Sequence, residues 1–170
     1  DYDKKFVFET PGYNFEPSEI GAAFGLVQLK KLKNNFKLRE INFKSHLNFV
    51  RKYKEYFISP KIYNETKTAW LAFPLILRET NLFKRKELMI FLEKNGIQTR
   101  VIFTGNILKQ PGFKKIKCIK NLSYPNADYL MKNGILIGCH HGLNKSKINY
   151  IQNKIEIFLQ KKINANIFKK

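Results

Sequence analysis

The sequence has little cysteine and no long apolar run. Its 170 residues include two cysteines, Cys118 and Cys139, which are too few for a disulfide scaffold and have no paired metal-ligand spacing. No stretch is long and apolar enough to span a membrane, and the sequence from Asp1 shows no basic-then-apolar leader, so we expect no signal peptide. We therefore expect a cytoplasmic fragment or processed chain in a reducing compartment, with no membrane partner.

Acidic residues and arginine are also scarce. The chain has 13 acidic residues against 32 basic ones, so its formal net charge is +19. Only five of the basic residues are arginine, whose planar fork suits phosphate, and the other 27 are lysine. A basic nucleic-acid-binding module is one alternative, supported by charge alone. We favour a biased composition with solvated lysines, and we do not expect a nucleic-acid partner.

Residues 16–57 have the pattern of one long helix. Pro17 suits the first turn because its missing N–H would be unpaired there, and Glu19 places negative charge at the positive end. Apolar residues then recur seven apart from Leu29 to Phe57, without an intervening glycine or proline. The run 20–29 is apolar nearly all round, which predicts packing against a large partner surface.

Downstream of Pro60, strand and helix patterns alternate. Strands are predicted at 69–77, 97–103 and 135–139, and helices at 83–95, from about 124 to 131 and from 144 to about 163. Pro74 indicates a sheet edge or a bulge, Gly96 a left-handed helix cap and Asn144 an N-cap. This order predicts an α/β or α+β layer, a small sheet with helices packed on it. We divide the chain into a linker with the long helix, 1–57, and a small domain, 58–170.

Several short segments resemble one enzyme family. They are Gly12-Tyr13-Asn14, Ala22-Ala23-Phe24-Gly25-Leu26-Val27-Gln28-Leu29, Gly96-Ile97-Gln98-Thr99-Arg100, Phe103-Thr104-Gly105-Asn106-Ile107-Leu108-Lys109-Gln110-Pro111, Tyr124-Pro125-Asn126-Ala127-Asp128-Tyr129-Leu130 and His141-Gly142-Leu143. Together they are similar to the sugar-nucleotide aminotransferases of the DegT/DnrJ/EryC1/StrS family, over residues 2–159. The resemblance implies a pyridoxal-phosphate enzyme with the aspartate-aminotransferase fold.

The segment around Gly105-Asn106 and Gln110-Pro111 is more similar to the 3-dehydratase branch of that family, as is Trp70 with 73–75. The branch removes the C3 hydroxyl of a CDP- or GDP-linked 4-keto-6-deoxyhexose, in dideoxysugar synthesis for lipopolysaccharide and O-antigen. The resemblance implies this substrate, with pyridoxal 5'-phosphate or pyridoxamine 5'-phosphate as cofactor. A sugar-nucleotide aminotransferase of the same family is the alternative.

The resemblance further implies that this chain is the small C-terminal domain of a fold-type I enzyme. The residues that anchor the cofactor would then precede it, so we expect no catalytic residue here, no tight cofactor binding and no activity of the chain alone. The apolar run 20–29 would be exposed or in contact with another copy. The complete enzyme is expected to be a homodimer, with an iron-sulfur reductase as partner if its substrate is a CDP-sugar.

Four residues are candidate site residues by the same resemblance. Asn14 matches an asparagine that reaches the cofactor phosphate of the neighbouring subunit, and an amide near a helix N-terminus suits that anion. Glu16 replaces a basic residue common in the family, and its carboxylate would repel phosphate. Arg100, Gly105 and Asn106 are expected to face the substrate. The structural alternatives are a helix cap or turn for Asn14, a surface ion pair for Arg100 and a turn for Gly105-Asn106.

The sequence Cys139-His140-His141 contains potential metal ligands. Adjacent side chains point apart, and no spaced ligand pair accompanies them. We therefore predict no metal site.

Overall fold

The structure, a computed structural model, describes residues 10, 12, 13, 15, 17–80, 82–113, 115, 116 and 123–167. It divides into two compact units, Asp1–Lys33 and Asn34–Lys170. Asn14, Glu16 and Cys118 lie outside the described residues. No helix among the described residues is both long and apolar enough to cross a bilayer.

The long first helix is confirmed, with different ends. α1 spans Glu19–Lys52, so it stops before the predicted end at Phe57. The chain turns there, and the backbone N–H of Phe57 donates to the carbonyl of Tyr53 at 3.0 Å. Phe57 continues the seven-residue apolar pattern because it is buried from a strand. The seven-residue apolar pattern therefore marks buried positions, and it continues beyond the last residue of α1.

The first unit contains the N-terminal part of α1, and its apolar side chains are exposed. Ile20, Phe24 and Leu29 expose 83%, 68% and 65% of their surface. Gly21 and Gly25 lie one turn apart, and a Cβ at Gly25 would meet no atom within 4 Å. The expected exposure of the run 20–29 is therefore observed in this chain.

The second unit contains a four-stranded antiparallel sheet in the order β1-β2-β4-β3. Its strands are β1 Phe57–Ile58, β2 Ala72–Leu77, β3 Thr99–Val101 and β4 Gly134–Gly138. The three predicted strands are confirmed: β2 and β3 are shorter than predicted, and β4 is shifted by one residue. β1 was not predicted, because two residues are too few to show a period.

Pro74 lies in the middle of β2, where a proline would normally remove a ladder hydrogen bond. It pairs with Leu136 of β4 on one side. On the other side β1 reaches only Ile76 and Leu77, so no described residue pairs with β2 there at Pro74. The proline is therefore at a local edge, as its residue type predicts, although β2 is an interior strand of the sheet.

Three further helices complete the unit: α2 Arg85–Lys94, α3 Pro125–Asn133 and α4 Lys145–Ile167. Gly96 follows α2 with φ +71°, which confirms the left-handed cap. The side chain of Asn144 accepts the backbone N–H of Lys147 at 3.0 Å, which confirms the N-cap of α4.

The core lies between one face of the sheet and the helices. Alternate residues of β2 are buried, and Phe73 and Leu75 pair across the sheet with Ile137 and Ile135. They pack in one cluster with side chains from three helices: Phe43, Leu47, Phe49 and Val50 of α1, Leu88 and Leu92 of α2, and Ile151, Ile155, Phe158 and Leu159 of α4. The predicted small sheet with helices packed on it is confirmed.

His46 of α1 is buried among these apolar groups, with 1% of its surface exposed. Its Nε2–H donates to the carbonyl of Gly138 at 3.1 Å, and its Nδ1 lies 3.5 Å from Nε2 of Gln152. Burial lowers the pKa of His46 to about 4, and the hydrogen bond to Gly138 offsets this only in part. The folded chain therefore holds a neutral imidazole between α1 and β4.

The low pKa of buried His46 predicts that the folded chain loses stability in weak acid. Its pKa is depressed in the folded state, so the unfolded chain binds more protons below about pH 6.5. The contribution of His46 to the free energy of unfolding is fully present above that pH. It falls as the pH decreases toward 4, by about 3 kcal/mol for a pKa shift of this size. Urea unfolding of wild type and His46→Gln between pH 4 and 8 should show that the variant has lost most of this slope.

The matched control is His141→Gln, which removes an exposed histidine. This control should retain the wild-type pH slope. An unchanged slope in His46→Gln would contradict the assignment.

Candidate functional site

A cleft of about 770 Å³ opens at one end of the sheet, beside the first turns of α4. Its walls come from the start of β2, the segment 96–100, the end of β4 and the loop that follows β4. Arg100, His140 and Lys147 supply its cationic or proton-donating groups. No aspartate or glutamate is among its lining residues.

Strand alternation places Arg100 in this cleft. Its neighbour Thr99 is buried and is held by Oε1 of Glu93, which accepts the backbone N–H of Thr99 at 2.6 Å and its hydroxyl at 2.8 Å. These hydrogen bonds lower the pKa of Glu93. Successive strand residues point to opposite faces, so Arg100 projects away from the core, where it pairs in register with Leu136.

The loop after β4 is tied to α1. Asn42 of α1 donates through Nδ2 to the carbonyls of His140 at 3.0 Å and Leu143 at 2.9 Å. The Nδ1 of His140 accepts the backbone N–H of Gly142 at 3.1 Å. The pKa of His140 is lowered, first by desolvation and then by electrostatic interactions with His141, Arg39 and Lys147.

The first turns of α4 form the opposite wall. The Asn144 cap fixes where the helix begins, and Lys147 lies in the first turn. One turn later, the hydroxyl of Tyr150 donates to the backbone carbonyl of Asn95 at 3.0 Å. That bond anchors the tyrosine ring between α4 and the C-terminal end of α2.

A second, smaller cavity of about 320 Å³ lies at residues 105–108, beside the start of α3. Gly105 has φ +62°, and a Cβ there would stand 2.4 Å from Cβ of Met131. Asn106 is buried, and its Oδ1 accepts the backbone N–H of Leu108 at 3.1 Å. Its Nδ2 donates to Oδ1 of Asp128 at 2.7 Å. Both ends of this amide are therefore used within the fold.

Asp128 links this turn to α3. Its Oδ1 lies 2.9 Å from the ammonium of Lys109 and also accepts the hydrogen bond from Asn106. Lys109 is the larger cause, and Asn106 the second, of the lowered pKa of Asp128. The carboxylate therefore holds the 3-10 turn at Ile107–Lys109 against the N-terminal part of α3.

Three of the four predicted site residues line two different cavities, and the fourth, Asn14, lies outside the described residues. Arg100 lines the larger cleft, whereas Gly105 and Asn106 line the smaller one. Substrate contact by these three residues stays a prediction. His140 and Lys147 were not predicted as site residues, although His141-Gly142-Leu143 was one of the family segments. Both residues could have been predicted from the segment His141-Gly142-Leu143 and the helix cap at Asn144, because they lie on either side of it.

The side chains of Cys139, His140 and His141 contact different partners. Cys139 is buried, and burial raises the pKa of its thiol to about 12. The Nδ1 of His141 instead accepts a hydrogen bond from Nε of Arg39 at 3.2 Å. Within the described ranges, no three histidine, cysteine, aspartate or glutamate side chains are grouped to hold a metal ion.

The described residues also do not fit a complete pyridoxal-phosphate site. Such a site pairs an acid with the pyridine nitrogen and surrounds the phosphate with donors. The larger cleft contains a lysine, Lys147, but no carboxylate lines it. The smaller cavity is lined by no lysine and no carboxylate.

The surroundings of Gly105 and Gly96 predict that a change to alanine lowers the free energy of unfolding by different amounts at the two positions. Both have positive φ, so alanine is strained at either position, but only Gly105 lies against another side chain. Gly96→Ala should cost about 1 kcal/mol of unfolding free energy. Gly105→Ala should cost about 2–4 kcal/mol, because Met131 must also move. Urea unfolding of the two variants measures this difference, and equal costs would contradict the close approach.

Comparison with known proteins places these observations in context. Residues 1–156 match the DegT/DnrJ/EryC1/StrS aminotransferase family. The chain is 31% identical over 157 residues to the lipopolysaccharide biosynthesis protein RfbH of Salmonella typhimurium, an alignment that covers 92% of this chain and 36% of that protein. It is 34% identical over 149 residues to the GDP-4-keto-6-deoxy-D-mannose 3-dehydratase of Yersinia pseudotuberculosis, covering 82% and 35%.

The fold is similar to that of the E. coli GDP-4-keto-6-deoxy-D-mannose-3-dehydratase with bound hydrated PLP. The TM-score is 0.71 at 31% identity, over 89% of this chain and 39% of that one. The chain therefore spans little more than a third of the length of the curated relatives it matches.

Proposed function

Because this chain belongs to the DegT/DnrJ/EryC1/StrS aminotransferase family, we propose that it is part of an enzyme that acts on nucleotide-linked sugars with pyridoxal or pyridoxamine phosphate. The proposed reaction is loss of the C3 hydroxyl from a CDP- or GDP-linked 4-keto-6-deoxyhexose. The observation that carries the proposal is the match of residues 1–156, supported by 31–34% identity to RfbH and a 3-dehydratase.

The described residues would contribute substrate-facing groups, since they do not fit the whole cofactor site. Arg100 would bind substrate from the exposed side of β3, in the larger cleft, and the 105–106 turn would shape a sugar-binding surface at the smaller cavity. Asn14 would reach the cofactor phosphate of a second subunit. The division into a linker with the long helix, 1–57, and a C-terminal small domain, 58–170, is part of the same proposal.

The proposal extends to partners and compartment. The complete enzyme would be a homodimer, and an iron-sulfur reductase would accompany it if the substrate is a CDP-sugar. A cytoplasmic location is supported by the free thiol of Cys139, which suits a reducing compartment.

A sugar-nucleotide aminotransferase is the second candidate, because the matched family is named for that activity. The two reactions differ in their products. A dehydratase releases the C3 oxygen of the sugar, whereas an aminotransferase replaces the keto oxygen of the sugar with the amino group of a donor, which takes up the oxygen as a keto acid. Mass spectrometry of the sugar product distinguishes them.

A chimera tests the proposal directly. Residues 12–156 would replace the aligned part of the E. coli 3-dehydratase, so that this chain works with a cofactor site known to bind PLP. If the proposal holds, the chimera should convert that enzyme's own substrate at a measurable rate, because the groups supplied by this chain would be equivalent. Steady-state turnover and a mass shift of the product are the measurements.

The 170-residue chain alone is the matched control. It should show no turnover and no Schiff-base absorbance with either form of the cofactor, because the anchoring residues are not in it. A chimera that folds and binds PLP but does not turn over would contradict the proposed function. Turnover by the chain alone would contradict its role as one part of the enzyme.

A further inference from the structure

One face of α1 holds the segment that joins β4 to α4. Arg39, Asn42 and His46 lie three and four residues apart, so they project from the same side of the helix. Nε of Arg39 donates to Nδ1 of His141 at 3.2 Å. Nε2–H of His46 donates to the carbonyl of Gly138 at 3.1 Å. Asn42, between them, binds the segment at two points.

Asn42 spans both ends of a four-residue turn, 140–143. Its Nδ2 donates to the carbonyl of His140 at 3.0 Å and to the carbonyl of Leu143 at 2.9 Å. A carbonyl can only accept, and a side-chain amide has two N–H donors, so both donors of Asn42 are used on this turn. The two bonds together fix the position and the orientation of the turn relative to α1, which one bond would not do.

The turn also has hydrogen bonds of its own. The backbone N–H of Leu143 donates to the carbonyl of His140 at 3.1 Å. The backbone N–H of Gly142 donates to Nδ1 of His140, also at 3.1 Å. Both bonds lie within the turn, so its shape does not depend on α1. Without the amide of Asn42, the turn should stay folded but become free to move relative to the helix.

The buried position of Asn42 would suit an apolar residue. It exposes 6% of its surface and shares the buried side of α1 with Phe43, Leu47 and Val50. Burying an amide costs free energy unless its donors are bound, whereas an apolar side chain carries no such requirement. Holding the turn against α1 is the role that the amide has and that an apolar residue would lack.

We infer that Asn42 is a positioning residue of the larger cleft. The turn 140–143 lines the cleft through its first and last residues and leads into the first turn of α4, where Lys147 lines it too. Arg100 lines the same cleft from β3, and Asn42 itself is not among the lining residues. Asn42 therefore acts through the wall that it holds in place. Its role in the reaction rests on the proposed function, in which Arg100 binds substrate.

NMR spectroscopy of the isotope-labelled 170-residue chain tests the positioning. Asn42→Ala removes both donors and should shift the backbone amide resonances of Gly142 and Ser146. It should also raise the pKa of His140 toward the usual value for histidine, about 6.5, because desolvation is the first cause of its lowered pKa and a freed turn admits water. Asn42→Thr, which is closer in volume and keeps one hydroxyl donor, should produce smaller changes in the same directions.

Tyr53→Phe is the matched control. The hydroxyl of Tyr53 donates to Oε1 of Glu156, a bond that joins the end of α1 to α4, and neither residue lines the cleft. This variant removes a hydrogen bond between the same two parts of the fold without touching the turn. It should therefore leave the amide resonances of the turn and the pKa of His140 unchanged.

The chimera measures the effect on the reaction. Asn42→Ala should lower its kcat by about ten-fold, because a displaced wall no longer holds the reacting geometry. The absorbance of bound PLP should be unchanged, since the cofactor-anchoring residues come from the E. coli enzyme. Tyr53→Phe should keep kcat within about two-fold of the parent chimera.

Two NMR results would overturn the positioning, whatever the chimera does: an unchanged pKa of His140 in both Asn42 variants, or equal changes in Tyr53→Phe. A kcat loss no larger than that of Tyr53→Phe would overturn the role of Asn42 in the reaction. A parent chimera that folds and binds PLP but is inactive would instead contradict the proposed function, and the NMR measurements would still decide whether Asn42 holds the turn.

Discussion

The pairing of β4 with both of its neighbours is the interaction on which the second unit depends. β4 forms five residue pairs with β2 and three with β3. Its buried face supplies Ile135 and Ile137 to the core. The same register sets Arg100 opposite Leu136, and the carbonyl of Gly138 accepts a hydrogen bond from Nε2–H of buried His46. The pairing of β4 therefore determines both the stability of the second unit and the position of the cleft.

The helices and strands were largely predictable, because their signals are local. Pro74 has no backbone N–H, Gly96 permits a positive φ, and the side chain of Asn144 caps a helix. Each of these residues lies where its chemistry is needed. The end of α1 and the strand β1 were not predictable. Phe57 maintains the apolar period from a strand, and only its pairing with Leu77 reveals the change of structure.

The candidate site was only partly predictable, because cavities depend on tertiary contacts. Arg100 could be placed on an exposed strand face by alternation, but its neighbours Lys147 and His140 come from elements that meet it only in the fold. The residue type of Asn106 alone does not distinguish a turn residue from a substrate contact. The structure gives its side chain a role in the turn, through Leu108 and Asp128, and substrate contact there remains a prediction.

The exposed apolar part of α1 is consistent with a chain that spans a third or so of its relatives. An apolar helical surface of this kind is normally covered in a complete protein.

The central claim is that this chain is one part of a pyridoxal-phosphate sugar-nucleotide enzyme. Sequencing the gene immediately 5′ of the codon for Asp1 tests it most directly. The account predicts an in-frame coding region of the same family with a lysine or a histidine at the Schiff-base position, histidine indicating the dehydratase. A coding region unrelated to the family, or one with neither residue at that position, would contradict it.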